Sequence, residues 1–122
     1  MALSIDFFLV YNMNAILQRE LVVFDNTNEI YKAIDTSGLL SRSQKGILKY
    51  IVSFDLERGV AASTIMDSMK VSKQAVNFSL QQLMKRNFLT RYKDKVFVYK
   101  INRNKLSELI EDYRTKQKLK MS

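Results

Sequence analysis

The sequence of 122 residues contains no cysteine and no histidine, and these two absences exclude several kinds of chemistry. Without cysteine, the chain has neither a disulfide framework nor thiolate metal ligands. Without histidine, it lacks the commonest zinc ligand and the usual general base. The glycines are isolated, at Gly38, Gly46 and Gly59, so there is no glycine-rich phosphate loop. We therefore expect a protein that is not an enzyme and that uses no metal and no cofactor.

Long hydrophobic runs are also absent. No stretch approaches the roughly 20 apolar residues that a membrane-spanning helix needs. Residues 1–6 carry no basic group of the kind that begins a signal peptide. The length suits one domain with a core of modest size. The expectation is a cytoplasmic protein with no membrane partner.

Positive charge is in excess, at +8 overall, and it is unevenly distributed. Residues 1–39 hold two lysines or arginines against five acids, a net charge of −3. Residues 40–104 hold thirteen against four, a net charge of +9. A polyanion such as DNA would be attracted to this second segment, and counterion release would make its binding salt-dependent. The alternative is a basic surface that serves only solubility.

The stretch that begins at Ser72 has the pattern of a capped amphipathic helix. Ser72 is a good N-cap, and Val76, Leu80 and Leu83 form one apolar stripe at helical spacing. The opposite side has amides, an aromatic ring and a cation but no acid: Gln74, Asn77, Phe78, Gln81 and Lys85. Because amides and cations bind base edges and phosphates, residues 72–87 are the predicted recognition helix for DNA.

The flanking segments complete a recognisable order of elements. Residues 63–69 predict a short helix with a turn after it, and residues 88–92 and 96–101 predict a β-hairpin around a charged tip. We expect Tyr92, Phe97 and Tyr99 in the core of this sheet, with exposed rings on which bases stack as the alternative. The spacing of the apolar and capping positions resembles that of winged helix-turn-helix proteins, in particular small MarR-like transcriptional regulators: Ile65, Met69, Val71, Ser72, Val76, Leu80, Leu83, Phe88 and Leu89.

The resemblance covers residues 40–102 and implies a mainly α fold with a small β-hairpin (α+β), a winged helix-turn-helix with N- and C-terminal flanking helices. We divide the chain into an acidic apolar segment (1–39), the winged DNA-binding domain (40–103) and a C-terminal helix with a basic tail (104–122). Before the winged domain, Asn28 is expected to cap a short helix over residues 29–34. Ser41 or Ser43 then begins a helix whose buried side is Ile47, Leu48, Ile51 and Phe54.

The two ends of the chain carry more apolar surface than a small winged domain needs. Residues 3–24 favour a helix, although two strands also fit the pattern. They either contact a second subunit or cover the chain's own core. Leu106, Leu109, Ile110 and Tyr113, after a cap at Asn104, repeat at helical spacing with the same two alternatives. The resemblance implies that the terminal helices dimerise, and the predicted dimer contacts are Phe7, Val10, Leu106, Leu109, Ile110 and Tyr113.

The predicted DNA contacts fall into three groups. Gln74, Asn77 and Gln81 are candidates for base edges, and Ser72 and Lys73 for phosphates. The alternative is a polar side of the helix that only faces solvent. Phe78 has three interpretations: contact with a thymine methyl, burial in the core, or contact with a protein partner. The remaining candidates are cations of two segments: Arg42, Lys45, Arg91, Lys93 and Lys95. The first two lie on the exposed side of the helix that Ser41 or Ser43 begins, where the resemblance implies a phosphate contact and a solvent-exposed face is the alternative. The other three lie on the wing (91–96), which would lie on the backbone or in the minor groove.

Three functions remain open at this stage. The leading hypothesis is a sequence-specific regulator of transcription that binds double-stranded DNA as a homodimer. A plasmid-type replication initiator would have the same order of elements. A winged helix that binds another protein, through Phe78 and the N-terminal segment, is the alternative from a different class.

Overall fold

The computed structural model describes residues 27–121, and this part of the chain forms five helices and one three-stranded antiparallel sheet. The elements are α1 (Thr27–Thr36), α2 (Arg42–Asp55), β1 (Val60–Ala61), α3 (Ala62–Ser68), α4 (Lys73–Lys85), β2 (Leu89–Asp94), β3 (Val96–Ile101) and α5 (Arg103–Met121). The strand order is β1-β3-β2. The predicted fold class is confirmed. None of the described helices is both long and apolar enough to cross a membrane.

One core joins all five helices to the sheet. Its fully buried side chains come from every helix and from β1: Ile30, Ile34, Ile47, Leu48, Ile51, Val60, Ile65, Val76, Leu80, Leu83 and Leu106. The hairpin adds Leu89, Tyr99 and Ile101 at the end nearest the helices. This burial supplies the main stabilisation of the fold, because the removal of apolar surface from water is the dominant favourable term in folding.

Helix α2 begins at Ser41, which decides between the two predicted caps. The Ser41 hydroxyl accepts a hydrogen bond from the Gln44 amide at 3.2 Å, and the Ser41 amide donates to Gln44 Oε1 at 3.0 Å. This reciprocal pair is a capping box. At the other end of α2, the prediction that Phe54 is buried is wrong, since Phe54 is 60% exposed. Leu56, just beyond the helix, takes the place in the core.

Two other helix boundaries differ from the predictions. Asn28 lies within α1 and does not cap it. Helix α5 begins earlier than expected, because Asn102 Oδ1 accepts from the Asn104 amide at 3.0 Å and so serves as the cap. The predicted basic tail is part of α5, whose later turns carry an ion pair between Lys116 and Asp112 at 3.1 Å. The predictions for residues 3–24 lie outside the described residues.

The wing is a regular hairpin with a tight turn. Its register pairs Leu89 with Ile101 and Asp94 with Val96, which leaves Lys95 alone at the tip with φ of 63°. β3 therefore has the predicted bounds, whereas β2 begins one residue later and ends two residues later than predicted. At the other edge of β3, Gly59 precedes β1 with φ of 88°, and a Cβ there would collide with the carbonyl of Tyr99. A glycine at this position allows β1 to reach β3.

Neighbouring positions on α4 allow a direct test of its orientation. We expect Leu80→Ala to lower the free energy of unfolding by about 2–5 kcal/mol, because Leu80 is fully buried and its truncation leaves a cavity. Phe78→Ala should change it by less than about 0.5 kcal/mol, since that ring is exposed. Urea denaturation of the two variants makes the comparison. Equal destabilisation would mean that α4 is rotated relative to the arrangement described.

Candidate nucleic-acid interface

Helix α4 separates the two sets of side chains that its sequence distinguishes. Val76, Leu80 and Leu83 are buried at 1%, 0% and 0% exposure. Gln74, Asn77, Phe78 and Gln81 are all exposed, and we call these four residues the recognition edge. Phe78 is 63% exposed, so its interpretation as a core residue is wrong. The recognition edge offers hydrogen-bonding amides and one aromatic ring, with no acidic residue anywhere in α4.

The beginning of α4 combines a capped N-terminus with an exposed lysine. Ser72 has extended backbone geometry, and its hydroxyl accepts from the Ala75 amide at 3.1 Å, as predicted for an N-cap. Lys73, the first residue of α4, is exposed. The positive end of the helix dipole and a lysine thus occur together, an arrangement that favours an anionic group such as a phosphate.

The two predicted cations on α2 have different surroundings. Arg42 is the first residue of α2 and is exposed. Lys45 instead donates to the backbone carbonyl of Asp35 at 2.6 Å, and Lys49 pairs with the Asp35 carboxylate at 2.8 Å. The C-terminal end of α1 attracts these cations because its carbonyl groups carry partial negative charge. Arg42 is thus exposed, whereas a backbone carbonyl already holds the Lys45 ammonium group.

Arg42 shares a cleft with a lysine that the sequence analysis did not select. A cavity of about 420 Å³ lies between α2 and the turn that precedes α4, and both Arg42 and Lys70 line it. Lys70 is exposed. Its position in the turn, two residues before the Ser72 cap, is the feature of the sequence that could have identified it as a candidate. Two cations thus lie beside the N-terminal end of α4.

The wing presents more aromatic surface than expected. Tyr99 is buried, but Tyr92 and Phe97 are 44% and 45% exposed, so their assignment to the core is wrong. The reason is that the hairpin extends past the helices that cover its base. The Arg91 guanidinium lies 4.4 Å from the centre of the Phe97 ring and the Lys93 ammonium 5.7 Å from it. These cation–π contacts hold two of the three predicted wing cations over one exposed ring.

The predicted dimer contacts on α5 lie inside the chain's own core. Leu106, Leu109 and Ile110 are at most 6% exposed, and α5 packs against α1. Tyr113 is partly buried beside them. For the three buried residues the structure favours packing on the same domain over contact with a second subunit. Phe7 and Val10 lie outside the described residues.

The cap of α4 gives a testable contribution to stability. Ser72→Ala should lower the free energy of unfolding by about 1 kcal/mol, because the Ala75 amide loses its acceptor. Ser63→Ala, at an exposed position of α3, is the matched control and should change it by less than about 0.5 kcal/mol. Thermal or urea unfolding distinguishes the two. Indistinguishable variants would show that the Ser72 hydroxyl does not stabilise α4.

Comparison with known proteins supports the fold. No model of a protein family matches the sequence, and no curated protein matches it. Among solved structures, a mutant of Staphylococcus aureus MepR bound to an oligodeoxyribonucleotide is similar, with 12% identity over 94% of this chain and 80% of that one (TM-score 0.53). YusO of Bacillus subtilis has 17% identity over 93% and 80% (TM-score 0.51).

A MarR family transcription regulator is similar at 15% identity, over 99% of this chain and 78% of that one (TM-score 0.51). Identities this low establish shared architecture and leave function to be argued from the site. The chain therefore has the winged helix-turn-helix fold of MarR-like regulators, as its sequence predicted.

Proposed function

We propose that the protein is a sequence-specific regulator of transcription that binds double-stranded DNA. The observation that carries the proposal is the division of α4, whose apolar stripe is buried while its acid-free recognition edge is exposed. An α-helix of this kind fits the major groove of B-DNA, where each base pair presents a distinct pattern of donors and acceptors. The role is one of binding, with no catalytic step.

Each side chain of the recognition edge has a proposed partner, and so do Ser72 and Lys73 at the N-terminal end of α4. The amides of Gln74, Asn77 and Gln81 both donate and accept, as the edge of adenine requires. Phe78 would contact a thymine methyl group. Ser72 and Lys73 would lie at a phosphate, where the helix N-terminus adds its dipole.

Cations around α4 would hold the backbone on either side of the groove. On the turn side these are Arg42 and Lys70, which line one cleft. On the wing side they are Arg91, Lys93 and Lys95, with the wing on the backbone or in the minor groove. Lys45 is a weaker candidate, because the Asp35 carbonyl already holds its ammonium group.

A homodimer on a two-fold site is the proposed assembly. Its half-sites would lie about 34 Å apart, one turn of the duplex, so that both copies of α4 enter the same face of the groove. Since Leu106, Leu109 and Ile110 are buried in their own chain, we propose that the dimer contact uses Tyr113 together with the N-terminal residues Phe7 and Val10. The similar MepR structure contains an oligodeoxyribonucleotide, which supports DNA as the partner.

A protein-interaction module is the competing function, and one observation favours it. Phe78 and Val71 are exposed at 63% and 51%, so the middle of α4 and the turn before it carry apolar surface as well as polar groups. Apolar surface of this kind also marks protein–protein contact sites. Salt dependence separates the two functions.

Affinity for duplex DNA should fall steeply with salt. Six cations per subunit are proposed to meet phosphates: Arg42, Lys70, Lys73, Arg91, Lys93 and Lys95. The slope of log K against log salt concentration should then be about −5 for one subunit and about −10 for a dimer. This slope can be measured by fluorescence anisotropy of a labelled duplex. The salt concentration is varied from about 50 to about 200 mM, a range over which proteins with this number of phosphate contacts lose most of their affinity. A flat, weak isotherm would favour the protein module.

Two double variants should separate recognition of bases from contact with phosphates. Gln74→Ala with Asn77→Ala should reduce the preference for a selected sequence over random duplex, by about 1–3 kcal/mol for each base that is no longer recognised. Lys93→Ala with Lys95→Ala should weaken binding to all sequences alike and make the salt slope less negative by about 2 per subunit. Both are measured against the same two duplexes. If the two double variants behave identically, the proposed division of roles is wrong.

A further inference from the structure

Gln44 is a buried polar residue at the start of α2, where an exposed glutamine could cap the helix equally well. It is 3% exposed, and its side chain completes the capping box at the start of α2. For the capping box, the Gln44 side chain needs only to accept from the Ser41 amide through Oε1. The same side chain makes two further hydrogen bonds, both to α4 or the residue that ends it.

These two bonds tie α2 to the last turns of the recognition helix. Gln44 Nε2 donates to Gln82 Oε1 at 3.0 Å, and Arg86 Nη1 donates to Gln44 Oε1 at 3.2 Å. Gln82 and Arg86 are four positions apart, on the same side of α4 or its immediate end. Arg86 also lies over the Phe88 ring at 5.5 Å, which fixes its direction. The guanidinium is thus directed inward and toward α2.

The two hydrogen bonds restrict the rotation of α4, which apolar packing restricts least. The stripe of α4 is held by contacts that have no preferred direction, so a small rotation of the helix costs little from burial alone. Hydrogen bonds depend on distance and angle. Gln82 is also the neighbour of Gln81 on the recognition edge, and Gln44 lies two residues after Arg42. The Gln44 side chain therefore connects a proposed phosphate contact to a proposed base contact.

We propose that Gln44 is a positioning residue that sets the orientation of α4 relative to α2, and thereby the ability of the protein to discriminate its DNA site from other sequences. The inference rests on the proposed function. Phosphate contacts fix where a protein sits on the duplex, and base contacts specify the sequence. A rotation of α4 would misalign the base contacts, while the phosphate contacts proposed for Arg42 and the wing remain in place.

The test compares two substitutions of Gln44. Gln44→Met keeps the length of the side chain and removes all three hydrogen bonds. Gln44→Glu keeps its acceptors for Ser41 and Arg86, and the Gln82 amide can turn to donate to the carboxylate. Affinities for a selected duplex and for random duplex are measured at a temperature where circular dichroism shows each variant to be folded. The ratio of the two affinities should fall about tenfold in Gln44→Met, comparable to the effect of one mismatched base pair in the site. It should stay within about threefold of the wild-type ratio in Gln44→Glu.

Two controls separate positioning from stability. Ile51→Val truncates a fully buried residue of the same helix and should leave the ratio unchanged despite a lower melting temperature. Gln82→Met keeps the capping box and should lower the ratio, with no further loss when it is combined with Gln44→Met. The proposal is overturned if Gln44→Met retains the wild-type ratio, or if Ile51→Val loses as much.

A measurement without DNA distinguishes failure of this inference from failure of the proposed function. Residual dipolar couplings of backbone amides report the angle between α2 and α4. The angle should change in Gln44→Met and not in Ile51→Val. If the wild-type protein prefers no duplex, the proposed function fails and the couplings alone decide the positioning role. An unchanged angle in Gln44→Met overturns that role.

Discussion

Burial of Val76, Leu80 and Leu83 is the constraint on which the rest of the molecule depends. These side chains fix which side of α4 faces the core, because their removal from water outweighs any preference of the polar residues between them. Once they are buried, helical geometry forces Gln74, Asn77, Phe78 and Gln81 outward. The exposed amides are thus a consequence of where the apolar residues recur.

The exposed edge also lies among cations and carries no negative charge. Helix α4 has no acid, its N-terminus is capped by Ser72, and cations flank it in the turn and on the wing. The cations nearest α1 are different, since Lys45 and Lys49 both bind Asp35. Arg42 and Lys70 instead line the cleft beside the N-terminal end of α4.

The sequence predicted several features that depend on local periodicity, although two of the predicted helix caps, Asn28 and Asn104, are wrong. The stripe of α4, the Ser72 cap and the hairpin were predicted because each is determined within a few residues. Phe54 and Phe97 were placed wrongly because burial at the end of an element depends on what packs over it. For Phe54, periodicity does not show that Leu56 fills that part of the core. For Phe97, it does not show that the hairpin extends past the helices that cover its base.

The contacts between distant segments could not be predicted from the pattern. Gln44 and Gln82 are 38 positions apart, and nothing in either local sequence indicates that they share a hydrogen bond. The same limit applies to α5, whose apolar stripe was equally compatible with a second subunit until its packing on α1 was known. Side-chain direction at a helix surface is local, whereas the identity of the neighbour is a property of the whole fold.

The most direct test of the central claim follows the side-chain amide signal of Asn77 by NMR during titration with a selected duplex. If the recognition edge binds in the major groove, this signal should shift strongly while the backbone amides of Val76 and Leu80 keep their protection from exchange. An unperturbed Asn77 signal at saturating duplex, with shifts confined to other surfaces, would contradict the account.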